Sequence, residues 1–314
     1  LNGRRTGIGI TAEGDMLAAL GSRYGSDAAI DFSTEVHKLL AIEVYRSSVE
    51  LAKERGPFPI FDFNREKENP FIQRIKENAP RVYEGMQKYG RRNIAMLTIA
   101  PTGSVSICTQ TSSGIEPVFM VNYKRRRKVN PNDKNVTVSF TDDVGDAWEE
   151  YNVFHPKFEV WLKEEGLDPE EVKKFDDKDL NKLIRKSPYH KATSNDIDWL
   201  KKVKMQGSVQ KWVDHSISVT VNVPESVSEE LVSQVYQTAW ESGCKGMTIY
   251  RDGSRDGVLV KDEKKKLEEE NESIFHETSA PKRPKMLDAE VLHFQNDKQK
   301  WVAVIGLLDN RPYE

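Results

Sequence analysis

Ile217-Ser218-Val219-Thr220-Val221-Asn222-Val223-Pro224 alternates apolar with polar side chains for seven residues and then stops at a proline. A period of two is the signature of a strand with one face on the core, and proline cannot continue the ladder. Ser226-Val227-Ser228-Glu229 follows with the spacing of a capping box, and Val227, Leu231, Val235, Ala239 and Trp240 lay an apolar stripe along the helix it would start. Gly243 is a C-terminal stop, and Met247-Thr248-Ile249-Tyr250 is a short second strand ahead of the Arg251-Asp252-Gly253 turn. Strand, helix, strand at this spacing is a βαβ unit, so the sheet is at least partly parallel and the fold class is α/β.

Upstream, Ile94-Ala95-Met96-Leu97-Thr98-Ile99-Ala100 is almost wholly apolar, which predicts a strand buried on both faces. Further upstream, Phe32, Val36, Leu40, Val44 and Leu51 recur mostly every four residues between Ser26 or Asp27 and Arg55, with Gly56-Pro57 behind them: an amphipathic helix. Downstream, residues 261–272 are nearly all charged and Ala280-Pro281-Lys282-Arg283-Pro284 follows, so a solvated linker is predicted over 261–285 after a main unit spanning 1–260. Ala289 to Phe294 and Trp301 to Gly306 read as two strands joined across Asn296-Asp297-Lys298, a small β tail over 286–314. A lone hairpin is marginal in water, so this tail is expected to dock or to continue.

The 314 residues can bury a real core, and their 31% charged content, of both signs, with a formal net charge of -3 offers no overall basic excess for nucleic acid. No apolar run approaches the roughly 20 residues needed to cross a bilayer, and Leu1-Asn2-Gly3-Arg4-Arg5 is too polar for a secretory signal. A cytoplasmic location with no membrane partner is therefore expected. The missing initiator Met and the immediate entry into patterned sequence predict a fragment, or one half of a split protein. Cys108 and Cys244 are far apart and in no CxxC arrangement, which favours two buried structural thiols over a metal site or a disulfide. His37, His155, His190, His215, His276 and His293 fall in no ligand pattern, so no metal residue is assigned.

Chemistry points to the turn Ala100-Pro101-Thr102-Gly103-Ser104-Val105-Ser106, directly behind the buried strand. Backbone amides at a helix start are unpaired and carry the positive end of the dipole, a glycine permits close approach, and three hydroxyls add donors, so Pro101, Thr102, Gly103, Ser104, Val105 and Ser106 form a candidate phosphate cradle. The same pattern serves an ordinary strand-to-helix turn capped by Ser or Thr. Ser112-Ser113-Gly114-Ile115-Glu116-Pro117 is a second polar turn close behind, and Tyr123-Lys124-Arg125-Arg126-Arg127-Lys128 is either a solvated face or a source of positive potential for a polyphosphate. Nucleic-acid binding through Lys124 to Lys128 is disfavoured, since the aromatics that interleave a single-strand groove are missing.

Arg92-Asn93-Ile94-Ala95-Met96-Leu97-Thr98-Ile99-Ala100-Pro101-Thr102-Gly103-Ser104, followed by Ser112 to Pro117, resembles the substrate-phosphate region of class II ribonucleotide reductases. Arg5 to Thr11, Tyr45-Arg46-Ser47-Ser48, Lys211 to Ser218 and Gly243 to Arg255 are similar to further phrases of that family, in its order, and together they cover residues 1 to about 255. The tail from Pro281 to Glu314 resembles the terminal extension of some members. The resemblance implies the C-terminal part of the catalytic subunit: the second half of a ten-stranded α/β barrel in which a thiyl radical on a finger loop attacks a ribonucleotide.

In that family the loop carries Asn-x-Cys-x-Glu, and a cysteine pair supplies electrons from a thioredoxin-like reductant. This chain has no such pattern, and motif order places the loop before Leu1, so no catalytic residue is assigned and Cys108 and Cys244 do not inherit its role. Members that import their radical have adjacent tyrosines where this chain has Lys245 to Tyr250, and Met247-Thr248-Ile249 offers no such pair. Adenosylcobalamin is thus the implied cofactor, with contacts not identified from sequence. The implied partners are a ribonucleotide and the N-terminal part of the reductase. A different reading is a non-catalytic phosphate-ligand or assembly module that complements a separately encoded N-terminal half.

Overall fold

The structure, a computed structural model, describes residues 2–129, 138–141, 146–254, 284, 286, 288–296, 299–308 and 311–312. It divides into two compact units, Leu1–Val258 and Leu259–Glu314. The linker expected over 261–285 lies, apart from Pro284, outside the described residues.

The first unit opens with α1 (Glu13–Ala19) and the long α2 (Asp27–Arg55), followed by α3 (Phe63–Glu66), α4 (Pro70–Asn78), α5 (Pro80–Tyr89) and α6 (Gly103–Thr109). An excursion of β1 (Asn122–Lys128), β2 (Phe140–Thr141) and β3 (Ala147–Phe154) leads into α7 (Pro156–Glu164), α8 (Pro169–Val172) and α9 (Asp177–Ile184). The unit closes with α10 (Trp199–Gln210), β4 (Thr220–Val223), α11 (Glu229–Glu241) and β5 (Thr248–Arg251). The second unit is an antiparallel sheet of β6 (Asp288–Asn296), β7 (Gln299–Leu308) and β8 (Arg311–Pro312), in the order β6-β7-β8. Among the described residues no helix is long and apolar enough to cross a membrane.

The βαβ unit is present: β4 and β5 pair in parallel, Thr220 opposite Thr248 through Val223 opposite Arg251, with α11 as the crossover. Val219, Val221 and Val223 are buried, as their alternation requires. The helix is capped two residues later than the capping-box spacing suggests, by Ser228, whose hydroxyl accepts the Leu231 amide at 3.3 Å. Trp240, placed by the sequence on the buried stripe, is 81% exposed, while Val235 and Ala239 are buried. Gly207 of α10 explains how closely that helix meets the end of α11, because a Cβ there would fall 2.5 Å from Ser242 Cβ.

The apolar run 94–100 is flanked on both sides, but by isolated parallel bridges rather than a continuous ladder: Ile8 to Leu97 and Ile99 to Ile217. The cause is Asp214. Its carboxylate accepts the amides of Met96 (2.9 Å) and Leu97 (2.8 Å), groups that a regular ladder would use, while Ile8 N–H reaches Met96 O at 2.7 Å and Ser218 N–H reaches Ile99 O at 2.9 Å. The parallel order is therefore 6–8, 95–99, 215–223 and 248–251. Over it pack α2, α4 and α5, through Tyr45, Phe71, Ile75 and Met86 against Leu97, Ile99 and Val219. A separate core of Phe154, Phe158, Leu162 and Leu180 holds α7 and α9 to the excursion, each such side chain contributing about 1.5 to 3 kcal/mol by burial.

Helix α2 starts at the expected cap, with Ser26 Oγ accepting the Ala29 amide at 3.2 Å, and ends at Gly56. Its buried face differs from the expected stripe. Ala29, Ser33, His37, Ala41, Tyr45, Ser48, Val49 and Ala52 face inward, and Phe32 and Leu51 are 42% and 39% exposed.

Candidate functional site

Thr102 adopts the left-handed conformation (φ 51°) and turns the chain sharply into α6, whose first helical hydrogen bond runs from Ser106 N–H to Thr102 O at 2.8 Å. The amides of Gly103, Ser104 and Val105 precede that bond, and all three residues are exposed, as is Pro101. The three hydroxyls divide. Thr102 Oγ1 accepts the Gly114 amide (2.8 Å) and pairs with Thr11 Oγ1 (2.9 Å), while Ser106 Oγ is buried, donating to Gly103 O (2.8 Å) and pairing with Ser113 Oγ (2.7 Å). Only Ser104 of the three keeps its side chain on the exposed side. A Cβ on Gly103 would meet nothing within 4 Å, so space for a ligand there does not come from tight backbone packing.

The second polar turn is what holds the first. Gly114 has φ 49° and lies so close that a Cβ would come within 3.0 Å of Ala100 O. Behind it, Glu13 N–H reaches Gly114 O at 3.1 Å and Asp15 Oδ2 accepts the Ser112 amide at 2.7 Å. The other oxygen of Asp15 receives Tyr189 OH at 3.1 Å and contacts His155 Nε2 at 2.8 Å. Glu116 Oε1 accepts the Thr220 amide at 2.7 Å, and its other oxygen takes the ammonium of Lys202, which also donates to Thr220 O. Burial, reinforced by Glu116 and Glu13 for Tyr24 and by Asp15 for Tyr189, raises both phenols well above their ordinary pKa. They therefore remain protonated donors, Tyr24 to Ile115 O and Tyr189 to Asp15.

Composition carries no sign of these supports. Glu13 (0% exposed) against His37, and Lys202 (1%) against Glu116, are ionisable residues in a core position, and nothing in their spacing separates them from surface charges.

The basic run does not reach this turn as free charge. It forms β1, antiparallel to β3, and four of its five cations meet acids: Lys124 with Glu150 and Asp177, Arg126 with Glu150, Arg127 with Glu149 and Lys128 with Asp146. Hydrogen bonds from these partners raise the Lys124 pKa and lower that of Glu150, the behaviour of a compensated solvated face.

The two thiols are not alike, which corrects the expectation of a buried pair. Cys108 is exposed, because it occupies the outer side of the short α6, whereas Cys244 is partly buried beside α10. Burial pushes the Cys244 thiol up to about 11, so at pH 8 about one part in a thousand is thiolate. Iodoacetamide at pH 8 is expected to modify exposed Cys108 first, with Cys244 about tenfold slower or more. Peptide mass spectrometry over time checks this, and equal rates would contradict the burial of Cys244.

Comparison with known proteins agrees with this architecture. The family model described as "Ribonucleotide reductase, barrel domain" matches residues 1–250, and one described as "NrdJ homologue C-terminal domain" matches 287–314. A vitamin B12-dependent ribonucleoside-diphosphate reductase of Mycobacterium tuberculosis is 28% identical over 262 residues, 82% of this chain and 32% of that protein. Its namesake in Thermoplasma acidophilum is 29% identical over 80% of this chain and 29% of its own length. Among solved structures, the class Id ribonucleotide reductase alpha subunit of Actinobacillus ureae has the same fold, with a TM-score of 0.53 at 20% identity, over 80% of this chain and 40% of that one. The chain thus spans about a third of the curated relatives it matches. With four fifths of its length matched by the barrel-domain model, on an α/β fold shared with a solved alpha subunit, this chain belongs to the ribonucleotide reductase barrel domain family.

Proposed function

We propose that the chain is the C-terminal part of the catalytic subunit of an adenosylcobalamin-dependent ribonucleotide reductase, and that the turn from Pro101 to Ser106 receives the substrate's phosphates. The carrying observation is the exposed set of amides at Gly103, Ser104 and Val105, fixed in place by Thr102 Oγ1 through Gly114 and Thr11. Donors already oriented by the fold lose little freedom on binding an anion. Direct ligand contacts are assigned to these amides and to Ser104. Thr102 and Ser106 act through their internal bonds, as the braces of the turn.

The parallel segments 6–8, 95–99, 215–223 and 248–251 fit the second half of a ten-stranded barrel, within a main unit over 1–260, a linker over 261–285 and an accessory β segment over 286–314. In the complete protein the radical cysteine, the reducing pair and the cysteines through which a thioredoxin-like reductant acts belong to sequence outside this chain. Adenosylcobalamin would supply the initiating radical, in keeping with the names of the relatives and with Met247-Thr248-Ile249 in place of a tyrosine pair. His37 and His155 are held by Glu13 and Asp15, and no cobalt ligand is assigned. What the chain's own residues do is bind and orient the phosphates.

The test uses the complete reductase. A charge-assisted hydrogen bond is worth about 1.5 to 3 kcal/mol, so Ser104→Ala is expected to weaken nucleotide binding by roughly one to two decades. Gly103→Val is expected to weaken it further while folding normally, since its Cβ enters open space. Calorimetry with the substrate nucleotide reads both, with cobalamin affinity unchanged as control. A folded Gly103→Val protein that binds nucleotide as tightly as the parent refutes the assignment, and deoxynucleotide production by the 314-residue chain alone with adenosylcobalamin and a dithiol refutes the placement of the radical thiol outside it.

A further inference from the structure

The segment 94–100 begins beside a cavity. Six residues before Pro101, or about 20 Å at strand rise, Ala95 borders a cavity of about 420 Å3 between α2, α4 and the turn that follows α10. That volume is within the range of small-ligand sites, roughly 300 to 1,000 Å3. Its charges are unevenly matched. Glu66 and Arg91 neutralise each other at 2.8 Å, and the Asp214 carboxylate is filled by Met96, Leu97 and Tyr45. Arg74 and Lys245 also line the cavity, and among the described residues neither has a carboxylate within ion-pair distance. Instead Arg74 Nε donates to Lys211 O at 3.0 Å, and Lys245 Nζ donates to Asp214 O at 2.6 Å and His215 O at 3.3 Å.

Gln210 supplies an independent observation. It is 4% exposed and lines the same cavity; its amide nitrogen donates to Val213 O and His215 O, both at 2.9 Å, but its buried Oε1 has no donor among the described residues. Lys245 and Gln210 meet on one carbonyl, that of His215, so a cation and an unmet acceptor stand side by side. Clamping the 211–215 turn explains one N–H of Arg74, whose guanidinium also lies 5.8 Å from the centre of the Phe71 ring, and two of Lys245, and it leaves Gln210 Oε1 without a partner among the described residues. Desolvation lowers the pKa of both Arg74 and Lys245, which an anion in the cavity would reverse.

We propose that this cavity binds a small organic anion, a carboxylate or phosphate monoester that carries an N–H or O–H donor and an apolar body. The anionic group meets Arg74 and Lys245, the donor meets Gln210 Oε1, and the body lies on Phe71, Ile72 and Val213. Inorganic phosphate fills too little of the space to cover those apolar walls. The site is independent of the phosphate turn and stands whether or not the reading of that turn holds.

The probes are 4-hydroxybenzoate and 4-hydroxyphenyl phosphate, titrated to about 20 mM into the 314-residue chain and followed by NMR at the Gln210 side-chain amide and the Ala95 backbone amide. Saturable shifts at both are expected with at least one probe. Affinity is expected to fall about tenfold or more in Arg74→Gln and in Lys245→Gln, to vanish in Ala95→Leu, which fills the space, and to be unchanged in Gly103→Val. Uncharged 4-hydroxybenzamide and inorganic phosphate are expected to bind about tenfold more weakly or not at all. Melting curves matching the parent establish that each variant is folded. No saturable shift with either anion, or shifts that survive Ala95→Leu and the charge variants, would mean that the cavity holds only solvent, and the proposal falls.

Discussion

Asp214→Ala is expected to cost the first unit about 4 kcal/mol or more, a large share of the stability a native domain has. One carboxylate serves three donors from distant parts of the chain: the Met96 and Leu97 amides and the Tyr45 hydroxyl, the last at 2.9 Å. Bonds to a charged acceptor contribute about 1.5 to 3 kcal/mol each, and a buried amide stripped of its acceptor costs about 1 to 3 kcal/mol. Alanine removes all three bonds at once, and native domains have only about 5 to 15 kcal/mol to lose. Tyr45→Phe, which removes one donor and leaves the carboxylate bonded to the amides, is expected to cost about 1.5 to 3 kcal/mol. Asp214→Asn falls between, because one amide oxygen remains to accept. Urea unfolding monitored by tryptophan fluorescence orders the three variants. An Asp214→Ala midpoint within error of that of Tyr45→Phe would mean that the ladder closes without the carboxylate.

The same residue shows where sequence reading reaches its limit. The seven residues from Ile94 to Ala100 are legible as a buried segment because burial on two faces demands apolar side chains, and hydrophobicity records that. The break in its ladder is made by a side chain more than a hundred positions away, and no local pattern announces it. Helix α2 presents a related difficulty. Its cap, length and stop are written in Ser26, Arg55 and Gly56, but the phase of its buried face is not. Two stripes of period four run along it, one with Phe32 and Leu51, the other with Ala29, Ser33, Ala41 and Tyr45, and the structure buries the second. Small residues let the helix lie close, and Ser48 and Tyr45 bring their own partners in Asn93 and Asp214. At the candidate site, the turn and its neighbour at Ser112 to Pro117 are legible as polar glycine-containing loops beside buried sequence. Which hydroxyl faces outward is not, since Thr102 and Ser106 are drawn inward by Gly114 and Ser113.

The ion pair under the second turn carries the other large expected effect. On α10, Lys202, Gln206 and Gln210 recur every four residues, a spacing that reads as a solvated face, and yet they are 1%, 1% and 4% exposed. Helix α10 packs against both α2 and α11, and each of the three side chains finds a partner on the strands and turns beside it. Lys202 meets Glu116 and Thr220 O, Gln206 donates to Gly246 O at 2.8 Å, and Gln210 donates to Val213 O and His215 O. Burial pulls the Lys202 pKa down while Glu116 opposes it, so the ammonium is kept by its partner and not by solvent. Breaking such a pair from one side leaves a charge with neither water nor counterion, which typically costs about 3 to 5 kcal/mol, whereas removing both charges is often nearly neutral. Lys202→Met is therefore expected to destabilise the chain by about 3 kcal/mol or more, and Lys202→Met combined with Glu116→Gln to recover most of that loss, because glutamine still accepts the Thr220 amide. A double-mutant cycle from urea unfolding should return a coupling of about 2 kcal/mol or more. If the two single losses simply add, the pair is not coupled; Glu116 then holds the turn through Thr220 alone, and the turn at Ser112 to Pro117 does not depend on the α10 lysine.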